Sequence, residues 1–373
     1  MDRRTYLASV AGATAAGLAG CLGIGGSDGS TGTDGTAGTT GTAPTTTADG
    51  STVAAETVAT GLEVPWGAAY RDGTLYLTER PGRVVRIVDG EREVVAEFSD
   101  TRTGGEGGLL GLVFHPEDPD VACTYQTYSA GQSRANRIRR HDVTDGWRPE
   151  TVFDDIPGAS VHDGGRLFVW DGALYATTGD AREADHAQDT TRLHGKVLRL
   201  TLDGDPHPDN PFDGGVFTYG HRNPQGLAVR DGELYATEHG PDTDDEINRL
   251  EAGGNYGWPV VRGPSDREAF VDPLTSYTPT IAPGGAVFYP DDGPIADWRG
   301  DLFFGTLAGR HLHRARIEGG EVVEDERLFE GRFGRLRTTF LGPDGHLHAV
   351  TSNRDGRGRP NDGDDRVLRF VPR

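Results

Sequence analysis

After residue 50 the apolar and polar positions alternate with the period of a β-strand, in short runs cut by Gly, Asp and Pro. One unit recurs: Asp-Gly-x-Leu-Tyr-x-Thr, at Asp72–Thr78, Asp171–Thr177 and Asp231–Thr237. A weaker copy runs from Asp344 to Ala349, and Gly300–Phe304 is a more distant relative. Each couples a tight Asp-Gly turn to a strand with apolar side chains at alternate positions. No stretch carries the period of a long amphipathic helix. The copies are unevenly spaced, yet their average separation of about 40–60 residues is that of propeller blades, and about 320 residues of such sequence make six. The pattern predicts an all-β, six-bladed β-propeller over residues 51–373. A sandwich, or a barrel with a second domain, would leave the repeat unexplained. In a propeller, loops distant in sequence meet at one end of the central channel, so candidate chemistry belongs in the loops after these strands.

Ahead of residue 51 this pattern is absent. Arg3-Arg4 precede a weakly apolar, Ala/Gly-rich run from Leu7 to Gly20, which resembles a twin-arginine export signal. Leu18-Ala19-Gly20-Cys21 resembles a lipobox, so residues 1–20 read as a lipoprotein signal peptide and Cys21 as the lipidated first residue. The run is too short and too rich in Ala and Gly for a membrane span. Residues 21–50, nearly all Gly, Ser, Thr, Ala and Asp after the Cys, read as a flexible tether. The expected location is extracytoplasmic, on the outer face of the cell membrane, with lipid at Cys21 as the sole membrane contact.

Charge changes the picture in one respect. There are 37 basic and 58 acidic residues, a net charge of −21, and Lys196 is the only lysine. Such a surface serves solubility and resembles the adaptation of a halophilic protein, and it argues against nucleic acid as a partner, since phosphate binding needs a basic face. Of two cysteines, Cys123 alone lies in the predicted domain, so neither a disulfide nor a thiolate metal cluster forms there; it reads as a buried strand residue.

The chemically loaded loops are few. Gly104–Leu110 places Glu106 in a glycine-rich loop that lacks the Lys and Ser/Thr of a phosphate loop. Val161–Arg166 puts His162 a short way ahead of Asp180, the pattern of a base held by a carboxylate and equally of a structural pair. Tyr219–Pro259 is the densest stretch. It begins with Arg222 and Asn223, suited to a ligand carrying carboxylates or carbonyls. Asp242, Asp244, Asp245 and Glu246 follow Gly240-Pro241; such acids among turn residues suit Ca²⁺ or simply face solvent, and their spacing is not that of an EF-hand. Arg335 and Arg337, two apart on a predicted strand, point to one face and can share an anion.

The segments VPWGAAY, GEGGLLGLVFHP, HDGGRL, GKVLRL, GHRNPQGLA, EHGPDTDDEIN, NYGWP, PTIAPGG and WRGDLFFGTL, in this order, resemble the soluble glucose dehydrogenase and aldose sugar dehydrogenase family. The likeness spans Thr57 to Phe370. It implies a six-bladed propeller that binds pyrroloquinoline quinone (PQQ) with Ca²⁺, oxidises aldoses at the anomeric carbon to lactones, and hands electrons to an external acceptor. By the same likeness, His162 is the general base, Asp180 its orienting carboxylate and Arg222 the stabiliser of the reducing quinone. Glu106, Asn223, Thr280, Arg335 and Arg337 are cofactor contacts. The carbonyls of Gly240 and Pro241 hold the cofactor's Ca²⁺, and Glu246 and Tyr256 a structural one. The implied partners are a small-molecule sugar and the electron acceptor, with a homodimer allowed.

Three positions depart from that family's glucose dehydrogenases. Glu106 stands where they carry Gln, Ala308 where some carry Lys (with Arg310 two residues on as a substitute), and Thr278 where they carry an aromatic. These favour the broader aldose branch. The alternatives are a Ca²⁺-stabilised propeller that binds a glycan or protein without redox chemistry, and a lactone hydrolase, which gives Arg335 and Arg337 no role.

Overall fold

The computed structural model describes residues 53–373; the signal peptide, Cys21 and the tether lie outside the described residues. Strand β1 (Val53–Ala59) is followed by four antiparallel sheets in chain order. The first is β2 (Pro65–Arg71), β3 (Thr74–Glu79), β4 (Arg83–Val88) and β5 (Glu91–Glu97). The second is β6 (Leu109–Phe114), β7 (Val121–Ala130), β8 (Ser133–Asp142) and β9 (Arg148–Gly158). The third is β10 (Leu167–Trp170), β11 (Ala173–Thr178), β12 (Lys196–Thr201) and β13 (Val216–Tyr219). The fourth is β14 (Pro224–Arg230), β15 (Glu233–Glu238), β16 (Asp245–Leu250) and β17 (Thr275–Tyr277). The remaining strands are β18 (Pro283–Phe288), β19 (Leu302–Thr306), β20 (Leu312–Glu318), β21 (Glu321–Leu328), β22 (Leu336–Leu341), β23 (Leu347–Thr351) and β24 (Val367–Pro372). They join β1 in one eight-stranded sheet, ordered β1-β24-β23-β22-β18-β19-β20-β21. Its two antiparallel halves meet at a single parallel pair, Gly285 with Thr338. The sheets form an all-β propeller; the only helices among the described residues are two short 3₁₀ turns.

The repeated unit has a defined place. Asp72-Gly73, Asp171-Gly172 and Asp231-Gly232 all have positive φ, the backbone of a type I′ turn, and they close the hairpins β2–β3, β10–β11 and β14–β15. In two of the three copies the Thr that ends the unit ties one sheet to the next. Thr237 Oγ1 on β15 donates to the Gly284 carbonyl on β18 at 2.7 Å, and Thr78 Oγ1 on β3 to the Leu110 carbonyl on β6. Glycine makes that approach feasible: a Cβ on Gly226 would overlap Thr237 Oγ1 and come within 2.5 Å of the Gly284 carbonyl, and one on Gly284 would overlap the Arg337 carbonyl of β22.

Hydrophobic clusters fill the seams between neighbouring sheets and between the two halves of the eight-stranded sheet. Tyr76 and Val84 pack on Leu109 and Leu112, Ile138 on Leu167 and Leu174, and Tyr175 and Phe217 on Leu227 and Leu234. Ala228 and Ile247 pack on Leu302 and Phe304, Phe303 and Leu312 on Leu347 and Phe370, and Phe340 and Val350 on Leu75 and Leu77. Pairing of β1 with β24, from Val53–Pro372 to Ala59–Val367, ties the start of the described chain to its end and leaves β24 with a partner on both sides. Cys123 is a buried free thiol on β7, and burial pushes it up to about 12, so it is inert packing.

Candidate active site

The starts of the strands β6, β10, β14, β18 and β22 and the ends of β15, β19 and β23 lie at one end of the propeller, because neighbouring strands run antiparallel. The loops there enclose a cavity of about 300 Å³. It is lined by Glu106 before β6, His162 before β10, Arg222 and Asn223 before β14, and His239, Gly240 and Pro241 after β15. Thr280 before β18, Ala308 after β19, Arg335 and Arg337 at the start of β22 and Arg357 after β23 complete it. Nine residues expected at the site from sequence, all but Asp180 behind His162 and the pair Glu246 and Tyr256, thus border one space. Arg310 does not line it and is exposed, so it makes no substitute for a Lys at position 308. Thr278 is likewise outside the lining; its Oγ1 pairs with Asp244 at 3.2 Å.

His162 and Asp180 form a directed pair. His162 Nδ1 lies 2.7 Å from Asp180 Oδ1. The same oxygen accepts the Arg182 N–H at 2.8 Å, and Oδ2 accepts Trp258 Nε1–H at 2.9 Å. Burial raises the Asp180 carboxyl, but the His162 hydrogen bond and the other donors outweigh it and hold it below its ordinary value. An ionised carboxylate only accepts, so Nδ1 carries the imidazole proton and Nε2 keeps its lone pair at the cavity. Gly179 is required here, since a Cβ would overlap the His162 carbonyl.

The other face of the cavity is cationic. Arg337 is 5 % exposed; its Nη1 donates to Gln225 Oε1, its Nε is buried without a partner, and burial followed by Arg80 holds it down to about 9. Arg222 gives Nη1–H to the His239 carbonyl at 3.2 Å and faces Trp258 at 5.5 Å, and its Nε too is buried without a partner. Asn223, fully buried, accepts the Gly164 N–H through Oδ1, while its Nδ2 has no partner. These orphaned donors fit a flat ligand rich in carboxylates and carbonyls. Arg335 is different: Nε and Nη2 both reach Asp355 Oδ2, at 2.9 and 2.8 Å, which leaves its charge already paired.

Glu106 does not stand as a bare negative charge. Its Oε2 accepts the His162 backbone N–H at 2.8 Å, and Oε1 is 2.9 Å from Arg357 Nη1. Burial raises it, but the His162 N–H, His239 and Arg357 more than reverse that and hold it at about 2. Sequence reasoning did not single out Arg357 and Gln225, which line the cavity, or Asp355 and Trp258, which bind Arg335 and Asp180. Only the Arg/Asp-rich run Asn353–Arg359 could have flagged Arg357 and Asp355, and nothing in it points inward.

Glu246 and Tyr256 border a second, ion-sized cavity of about 20 Å³, which they share with Arg222, Glu238, Gly240, Pro241 and Asp244. Glu246 Oε1 accepts the Gly263 N–H at 2.9 Å and Oε2 the Asn248 amide at 3.0 Å. Burial, then Glu238 beside it, pushes the Glu246 carboxyl up to about 8. A cation would relieve that repulsion, so the donor set fits a hard ion. The Tyr256 hydroxyl is engaged elsewhere, donating to the Arg249 carbonyl at 2.7 Å. Of the other acids of the cluster, Asp245 is enclosed in the protein: its oxygens accept from Gly240 N, Ile281 N, Ala282 N and Thr280 Oγ1.

Fold and site define a propeller with a pocket at one end that brings together a carboxylate-held imidazole and buried guanidinium and amide donors. The Glucose / Sorbosone dehydrogenase family model matches residues 62–360. The chain belongs to that family. It is 30 % identical over 346 residues to an aldose sugar dehydrogenase of Escherichia coli, covering 82 % of this chain and 92 % of the other. It is 33 % identical over 247 residues to quinoprotein glucose dehydrogenase B of Acinetobacter calcoaceticus, covering 55 % and 51 %. The solved PQQ-bound aldose sugar dehydrogenase of Streptomyces coelicolor superposes with a TM-score of 0.77 at 36 % identity, covering 86 % of this chain and 98 % of that one.

Proposed function

We propose that the chain is a quinoprotein aldose dehydrogenase, which oxidises the anomeric carbon of aldoses to lactones with PQQ and Ca²⁺ and passes the electrons to an external acceptor. The observation that carries this reading is the meeting, in one cavity, of a carboxylate-held His and buried guanidinium and amide N–H groups without acceptors. The PQQ-bound Streptomyces relative supports the choice of quinone. When bound, PQQ supplies the acceptor for the hydride that leaves the sugar C1. Arg337 and Asn223 would hold its carboxylate and carbonyl groups, with Arg335 and Thr280 beside them. Arg222 would stabilise the negative charge that builds up on reduction. Gly240 and Pro241 would give carbonyl oxygens to the cofactor's Ca²⁺, and Glu246 would hold a structural one, with Tyr256 reaching it through its backbone carbonyl since its hydroxyl is bound to Arg249.

His162 does the proton chemistry. Its Nε2 takes the proton of the anomeric hydroxyl, and the imidazolium that forms keeps Asp180 as its counter-charge. The propeller is read as six-bladed. The eight-stranded sheet divides at its single parallel pair, and a hydrophobic cluster fills each of six seams. The leader supports export and a lipid anchor at Cys21, which labelling with a radioactive lipid precursor in wild type and Cys21→Ala would test. For the activity, the protein is loaded with PQQ and Ca²⁺ in high salt and dye reduction is followed over a panel of aldoses. Aldose-dependent reduction that needs the quinone supports the reading; its absence for every sugar overturns it.

A further inference from the structure

Beyond the catalytic cavity, later residues of the innermost strands β2, β6, β10, β14, β18 and β22 line a second chamber of about 330 Å³. Its walls are mainly apolar, among them Tyr70, Phe114, Phe168, Val287 and Phe340, and no acidic side chain lines it. One charge does: Arg166, only 8 % exposed. Its Nε donates to the Gln225 carbonyl at 2.9 Å and its guanidinium lies 4.2 Å from the Trp66 ring, while Nη2 is buried without a partner. Nη2 packs against the β18 backbone, where a Cβ on Gly285 would come within 2.7 Å of it.

A guanidinium cannot shed its charge as a buried Lys can, so burial without a carboxylate is costly. The one charged group near enough to act on Arg166 is Arg337, which is also positive; burial and that neighbour hold Arg166 down to about 9. In a chain of net charge −21 the axis thus carries two adjacent buried cations, and neither has a carboxylate hydrogen bond. Arg337 faces the catalytic cavity and the anionic ligand proposed there. Arg166 faces the chamber.

We propose that this chamber is a second binding site, distinct from the catalytic cavity, which takes a small monovalent anion on Arg166: a halide, or an organic carboxylate whose apolar part lies against the aromatic walls. Gln225 links the two sites, since its carbonyl accepts from Arg166 and its side chain from Arg337.

The test is thermal melting of the full chain without PQQ, at fixed ionic strength, titrated with chloride, bromide or butyrate, alongside the Arg166→Met variant. General salt effects act on both proteins alike. The expected result is a saturable rise of a few degrees in wild type that is missing in Arg166→Met. A stronger effect of halide or of butyrate then names the occupant. Anion dependence that is equal in both proteins overturns the proposal. Should Arg166→Met fail to fold, wild-type crystals grown in bromide decide: an anomalous peak against the Arg166 guanidinium supports the site, and its absence sinks it.

Discussion

Asp180 shows how much of the proposed chemistry rests on one side chain. Its three hydrogen bonds fix both oxygens, and so fix which imidazole nitrogen of His162 is free. In Asp180→Asn the amide can present a donor to Nδ1 and reverse the tautomer. We expect kcat to fall by roughly 10²–10⁴-fold while the fold and PQQ affinity are kept, measured by steady-state kinetics beside cofactor titration. Glu106 gives a pH signature. Its carboxyl sits at about 2 against an ordinary 4.5, a depressed value, so the stability it adds is present above 4.5 and is lost as pH falls toward 2. The melting difference between wild type and Glu106→Gln should therefore shrink between pH 5 and pH 3, with the pH titration itself as the measurement. The same variant releases Arg357 and should bind PQQ several-fold tighter. Glu106 was legible as a departure in a glycine loop; its neutralisation was not, because Arg357 lies far along the chain and meets it only when the ring closes.

At the scale of elements, the Asp-Gly-x-Leu-Tyr-x-Thr unit was readable because it needs positive φ at two successive residues and then a period-two strand. Each copy found is the second strand of its group: β3, β11, β15, β19 and β23. The counterpart β7 was missed because Pro119-Asp120 replaces the Asp-Gly turn and the hairpin that follows is longer. The seams between sheets were not legible at all, since period-two patterning says which face is buried but not against what. They can be tested. Thr237→Val removes the buried hydrogen bond to Gly284 and should cost about 1 kcal/mol in denaturant unfolding. Gly284→Ala drives a Cβ into the Arg337 carbonyl, should cost about 1–3 kcal/mol or more, and should weaken PQQ binding by displacing Arg337.

For the whole molecule, net charge and chain closure dominate. A charge of −21 repels itself, so raising NaCl should raise Tm of both wild type and the Arg166 variant through screening, before any saturable anion effect is counted. Chelation of Ca²⁺ should lower Tm as Glu238 and Glu246 are left facing each other, and scanning calorimetry with and without a chelator reads this directly. Fold class and the end of the propeller that carries the chemistry were open to sequence reading; the second chamber was not, because its one cation is flanked by glycines and apolar strand positions that read as core. The central claim, that His162 and its carboxylate drive hydride loss from a sugar C1, meets its most direct test in single-turnover kinetics of the PQQ- and Ca²⁺-loaded protein with an aldose carrying hydrogen or deuterium at C1. We expect cofactor reduction to be slowed by deuterium in wild type and to be nearly abolished in His162→Ala with PQQ still bound. Reduction that proceeds undiminished in His162→Ala, or no aldose-dependent reduction in wild type, would contradict it.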